Sequence, residues 1–156
     1  MSIPKAPLAL GLAGLIPFLV GAALTVFVKE DLSGPNSYPL FSPGDGQAIL
    51  IAYGIVILCF MSGVLWGFAT KAEERRAFVF YAWSVVPALW VFFTATSHVF
   101  NAPAFGSAGA NLIVGFLGLL ALDWHFWKNK LTPEWWMRLR ILLTTIVTLC
   151  LLTLVV

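Results

Sequence analysis

Charge is scarce in this sequence. Nine Lys and Arg and seven Asp and Glu make up 10% of it, where a soluble domain carries about 25%. At a mean hydropathy of +0.93 so few charges do not clothe a water-facing surface, and lipid must be part of the solvent. The net charge of +2 is too small to point to nucleic acid. Cysteine is nearly absent as well. Cys59 and Cys150 each stand alone in an apolar run, which argues against a disulfide or a metal pair and reads both as small core residues. No polar stretch is long enough for a soluble module, so an ATP-binding or large catalytic domain is excluded. No Asp, Glu, Lys, Arg or His falls near the middle of an apolar run, where a full charge would cost about 2.5–3.5 kcal/mol. Proton pumps and ion-coupled carriers usually keep such residues at midplane. Nucleophile–base pairings, phosphate loops and metal-ligand spacings are missing too. The expectation is a protein without catalytic residues, without a metal and without a cofactor beyond a bound lipid or quinone.

What is present is apolar length. A helix needs about 20 apolar residues to cross a hydrocarbon core of about 30 Å. Five stretches qualify, over about 7–28, 47–68, 71–101, 107–126 and 133–156. The sequence therefore predicts an all-α integral membrane bundle of five transmembrane helices, a single domain over 1–156. The first run, from Leu8 to Val28, is longer than a signal peptide's apolar region and lacks a clear small-residue cleavage site, so it reads as a retained helix. Thr70 with Glu73 reads as a capping box, Asp45 as an N-cap, and Thr132 before Pro133 as a helix start.

The basic residues set the orientation. With five spans, Lys5, Lys71, Arg75, Arg76, Lys128, Lys130, Arg138 and Arg140 share one side and Lys29 is alone on the other. Basic residues stay cytoplasmic, which puts the N-terminus in and the C-terminus out. Trp124, Trp127, Trp135 and Trp136 cluster on the basic side, where amphipathic rings suit the headgroup layer. Anchoring is the plain reading of that ring and a protein-binding surface the sharper one. Asp123, close to Lys128 and Lys130, reads as a member of a solvated pair.

Small residues mark seams. Gly63 and Gly67 follow Cys59 at helical spacing, Ala9, Ala13, Pro17 and Gly21 line the first helix, and Ser107, Asn111 and Gly115, with Gly118 beside them, line the fourth. Between helices in lipid the hydrophobic drive is weak, and close backbone approach supplies dispersion contact instead. Packing within the bundle is the first reading of Gly63, Gly67, Gly115 and Gly118, and homo-oligomerisation the second.

The third helix carries the one polar patch. Thr94, Ser97, His98 and Asn101 fall on one face, which continues inward through Trp90, Pro87 and Trp83. Pro87 frees the Trp83 carbonyl from its helical bond. Asn111 lies near the same end. The plain reading is an interhelical hydrogen-bond network that satisfies itself. The sharper one is a site for an amphipathic molecule, a quinone or lipid headgroup, built from Trp83, Trp90, Thr94, Ser97, His98, Asn101 and Asn111. A metal or haem is disfavoured because His125 lies at the opposite membrane face.

Three stretches carry a resemblance: Ala6 to Phe18, Tyr53 to Gly67, and Thr132 to Arg140, the last reading TPEWWMRLR. Together they resemble the family catalogued as domain of unknown function 3429, the transmembrane protein 69-like multi-pass membrane proteins. The resemblance implies a multi-pass protein of a bacterial inner membrane, or of a mitochondrial one in a eukaryote, and carries no functional residue with it. The expected function is that of a non-enzymatic accessory or assembly subunit of a larger membrane complex, such as a respiratory one. The alternative is a homo-oligomeric carrier or lipid- or quinone-binding protein. The expected partners are the bilayer and other membrane subunits or further copies of the chain, not nucleic acid.

Overall fold

The computed structural model describes residues 3–28, 44–100 and 105–155, without the side chains of 95–100 and 105–106. The described residues form α1 (Lys5–Ala13), α2 (Ile16–Phe27), α3 (Asp45–Ala69), α4 (Glu74–Phe100), α5 (Phe105–Lys128) and α6 (Trp136–Leu152). The first two are one rod broken at Gly14 and Leu15. Pro17 has no N–H to bond the Ala13 carbonyl, and it sits in the first turn of α2, where that loss is harmless. The Gly14 carbonyl, exposed by the break, accepts from the Tyr53 hydroxyl at 3.1 Å.

Four of these rods are long and apolar enough to cross a membrane: Lys5–Phe27, Asp45–Ala69, Glu74–Thr94 and Ser107–Lys128. The fifth, α6, has 17 residues. At 1.5 Å per residue it is about 25 Å long. Its first turns hold Arg138 and Arg140.

The centre of the bundle is α3, which packs on α2, α4 and α5, while α6 lies against α5, α2 and α1. The α2–α3 crossing is the closest. A Cβ on Gly46 would stand 2.6 Å from the Gly21 carbonyl oxygen, and one on Gly21 would stand 2.8 Å from Leu50 Cγ. Phe18 is buried edge-on against Tyr53 (5.0 Å between centroids) and Phe116 (6.0 Å). Leu50, Leu58, Leu65 and Leu119 complete the core at zero exposure. Between α3 and α4 the buried Ser62 hydroxyl donates to the Ser84 carbonyl, beside the turn that Pro87 weakens. The helix continues through Pro87 without a break.

Several sequence expectations are corrected. Thr70 does not open α4; its hydroxyl donates back to the Gly67 carbonyl at 2.7 Å and closes α3. Thr132 caps nothing, and α6 begins at Trp136, after a turn in which the Trp136 N–H bonds the Pro133 carbonyl. Asp45 lies inside the first turn of α3, with Gly44 at the cap position. Cys59 is exposed rather than core. Gly63 and Gly67 face outward: a Cβ on either would meet nothing within 4 Å among the described residues, and the same holds for Gly118. Of the four glycines expected to pack helices, Gly115 does so, its Cβ position lying 2.9 Å from Leu58 Cδ1 and 3.1 Å from Trp90 Cδ1.

Candidate functional site

The strongest polar constellation lies between α5 and α6. Asp123 is fully buried. Its Oδ2 accepts from Arg140 Nε at 2.6 Å and its Oδ1 from Trp136 Nε1 at 2.7 Å. Both carboxylate oxygens are thus held by donors one helical turn apart on α6. The solvated Asp123 expected from Lys128 and Lys130 is therefore corrected, since both lysines are exposed and the partner is the 5%-exposed Arg140. Trp136 likewise leaves the anchoring ring: its indole is edge-on to Phe68 at 4.9 Å and its N–H is spent on Asp123. Trp124 remains exposed and stacks near Trp127 at 5.3 Å.

Arg140 also lines a cavity of about 180 Å³ bounded by the α1–α2 break, α3, α5 and α6. Apart from Arg140 and Thr144 its walls are apolar or glycine, among them Phe18, Met61, Phe116 and Val147. Sequence reasoning missed this site because Arg140 was counted only among the basic residues that set the orientation. The signal was legible: Arg138 and Arg140 are two apart on one helix, so they face different ways. Arg140, Thr144 and Thr148 also repeat every fourth residue.

The face expected on α4 is assembled in part. Trp83, Pro87 and Trp90 line a groove of about 400 Å³ with Gly115, Gly118 and Leu119 of α5. Its wall is almost wholly apolar, and Trp90 Nε1 donates to the Asn111 carbonyl at 2.9 Å. Asn111 therefore meets Trp90 through its backbone. The Thr94 hydroxyl bonds the Trp90 carbonyl of its own helix at 2.7 Å. The side chains of Ser97 and His98, and Asn101 as a whole, lie outside the described residues. His125 sits by Phe80, 5.5 Å between ring centroids, and among the described residues no three of His, Cys, Asp and Glu gather as a metal site.

The family model described as "Protein of unknown function (DUF3429)" matches residues 3–156. The chain belongs to this family. Transmembrane protein 69 of Xenopus tropicalis is 33% identical over 147 residues, 92% of this chain and 51% of that protein. The chain thus spans about half the length of the curated relative it matches. No solved structure matches. Family membership agrees with the resemblance carried by the TPEWWMRLR stretch, which contains both Trp136 and Arg140. The protein is accordingly a multi-pass membrane protein in a lipid bilayer.

Proposed function

We propose that the protein is a non-enzymatic accessory or assembly subunit that docks into a larger membrane complex through the outer face of α3. The observation that carries this reading is the uncovered strip at Gly63 and Gly67. Ala48, Ala52, Val56, Cys59, Gly63 and Gly67 are all exposed and fall on one face at spacings of three and four. A glycine within a helix costs about 1 kcal/mol relative to alanine. Among the described residues it gains no close contact here, because a Cβ would meet nothing within 4 Å. A second helix laid along that strip would supply the missing dispersion contact through close backbone approach.

The same reading places the chain in a bacterial inner membrane, or the mitochondrial inner membrane of a eukaryote. The N-terminus is cytoplasmic and α6 is a fifth, short crossing. The supports are the basic residues gathered on one side and the exposed Trp124 beside them. A second reading, a homo-oligomeric lipid- or quinone-binding carrier, draws on the apolar groove between Trp83, Trp90 and Gly118.

Gentle extraction followed by native mass measurement tests both. The first reading expects the 17.0 kDa chain within a hetero-complex. Gly63→Leu and Gly67→Leu should release it while leaving its own unfolding temperature unchanged. A wild-type monomer, indifferent to both substitutions, overturns it. A small homo-oligomer with a bound lipid or quinone favours the second.

A further inference from the structure

Hydroxyl-bearing side chains in the apolar part of a helix usually bond back to their own backbone. Thr25, Thr94 and Thr145 do so here, donating to the carbonyls of Gly21, Trp90 and Ile141 at 2.7–2.8 Å. Thr144 and the half-buried Thr148 do not: neither hydroxyl finds a partner among the described residues, and of the two it is Thr144, 3% exposed, that lines the cavity. One turn before Thr144, Arg140 is 5% exposed, and its Nη2 is also without a partner among the described residues. A buried polar group left unpaired costs about 1–3 kcal/mol, more when charged. Both residues line the 180 Å³ cavity, and their two unpaired donor atoms lie just behind its wall, without accessible surface of their own.

The shape and charge of the cavity narrow the occupant. An apolar cavity of about 150 Å³ holds a benzene ring, so the space suits one ring or one branched headgroup rather than a whole lipid. Leu10 and Phe60 belong to its wall and are 75% and 64% exposed, so the cavity opens between α1 and α3 toward the surrounding lipid. The cation of Arg140 is already balanced by Asp123 at 2.6 Å. A further anion would bring uncompensated charge into an apolar space, whereas a neutral carbonyl oxygen accepts the spare hydrogen bonds without it. The break at Gly14 and Leu15, whose residues line the same cavity, supplies the room.

We propose that this cavity binds the carbonyl-bearing headgroup of a neutral amphipathic molecule. Small rotations of the two side chains bring Arg140 Nη2 and the Thr144 hydroxyl to the cavity, where they donate to the carbonyl oxygen, and the apolar tail leaves between Leu10 and Phe60 into the bilayer. The site is separate from the outer α3 strip, and its occupancy does not depend on a partner subunit.

The test uses the full chain in dodecyl maltoside, which contains no carbonyl, with two probes. One is a decyl-substituted benzoquinone, the other a short-chain diacyl phosphatidylcholine, whose ester carbonyls offer the same acceptor. Binding is read as a rise in unfolding temperature and as a mass adduct. The expected result is saturable binding of at least one probe. Thr144→Val, which keeps the shape, and Arg140→Lys, which keeps a cation for Asp123, should each weaken it roughly tenfold, the equivalent of one buried hydrogen bond. Binding of the benzoquinone alone identifies a quinone-type ligand, and binding of the phospholipid alone a lipid ester. If Arg140→Lys does not fold, Thr144→Val carries the comparison by itself. The proposal is overturned if neither probe binds, or if Thr144→Val binds as wild type does, in which case water alone fills the polar corner.

Discussion

Gly21 and Gly46 meet across the α2–α3 crossing with no room for a side chain on either: a Cβ on Gly46 would sit 2.6 Å from the Gly21 carbonyl oxygen. Backbone cannot yield as the end of a flexible side chain does, so the two helices would have to separate. Gly46→Ala should therefore lower stability by about 1–3 kcal/mol, the usual range for overpacking. Gly63→Ala, where the new methyl meets nothing within 4 Å, should leave the isolated chain unchanged or up to about 1 kcal/mol more stable through helix propensity. Thermal unfolding of the two purified variants in one detergent decides it. Equal effects would mean that the α2–α3 crossing is looser than drawn.

The buried pair of Asp123 and Arg140 has its own signature. Removing one partner strands the other charge, so Asp123→Leu and Arg140→Met should each cost about 3–5 kcal/mol. The double variant replaces a charged pair by apolar groups of similar bulk and should recover most of that loss. A double-mutant cycle on unfolding temperature is the measurement. Additive losses would show that the two side chains act independently, contrary to their 2.6 Å contact.

The helices were largely legible in the sequence, whereas the polar chemistry was missed, for a physical reason. Apolar length alone specifies a helix in lipid, because every backbone group must bond within its own segment. Hence α3 and α5 lie within two residues of the expected limits at each end. Which face of a helix turns inward is a weaker signal when the outside is apolar too. Gly63 and Gly67 looked like a seam and face outward, while Gly46, flanked by Asp45 and Gln47, looked like loop and makes the tightest crossing. Arg140 was read only as one of the orientation-setting cations because it lies near the end of its helix. Only its spacing from Trp136 and Thr144 marked the inward face.

Topology remains a direct test of the charge argument. A reporter active only outside the cytoplasm should be active when fused after Val156 and silent when placed at Asn129. The motive is the grouping of Lys5, Lys71, Arg75, Arg76, Lys128 and Lys130 against Lys29. Activity at Asn129 would invert the orientation. Silence at both positions would mean that the 17-residue α6 lies in the interface or returns without crossing.

Trp135 and Trp136 are adjacent and chemically identical, yet the structure gives them different work. Trp136 donates its indole N–H to Asp123 and packs edge-on to Phe68. Trp135 is the residue before the helix and makes no such bond to the pair. Phenylalanine preserves most of the ring and removes the N–H, so it isolates the hydrogen bond. Trp136→Phe leaves Asp123 Oδ1 without this donor in a fully buried position and should cost about 1.5–3 kcal/mol, the range for a bond to a charged group. Trp135 is half-buried and its truncation strands no buried carboxylate, so Trp135→Phe should cost less, about 1 kcal/mol or below. The two losses are read from thermal unfolding. The assignment to Asp123 is then checked in the Asp123→Leu background, where there is no carboxylate to satisfy. There Trp136→Phe should lose nearly all of its effect. If the penalty persists in that background, it arises from ring packing against Phe68, and the indole contributes nothing to holding the buried carboxylate.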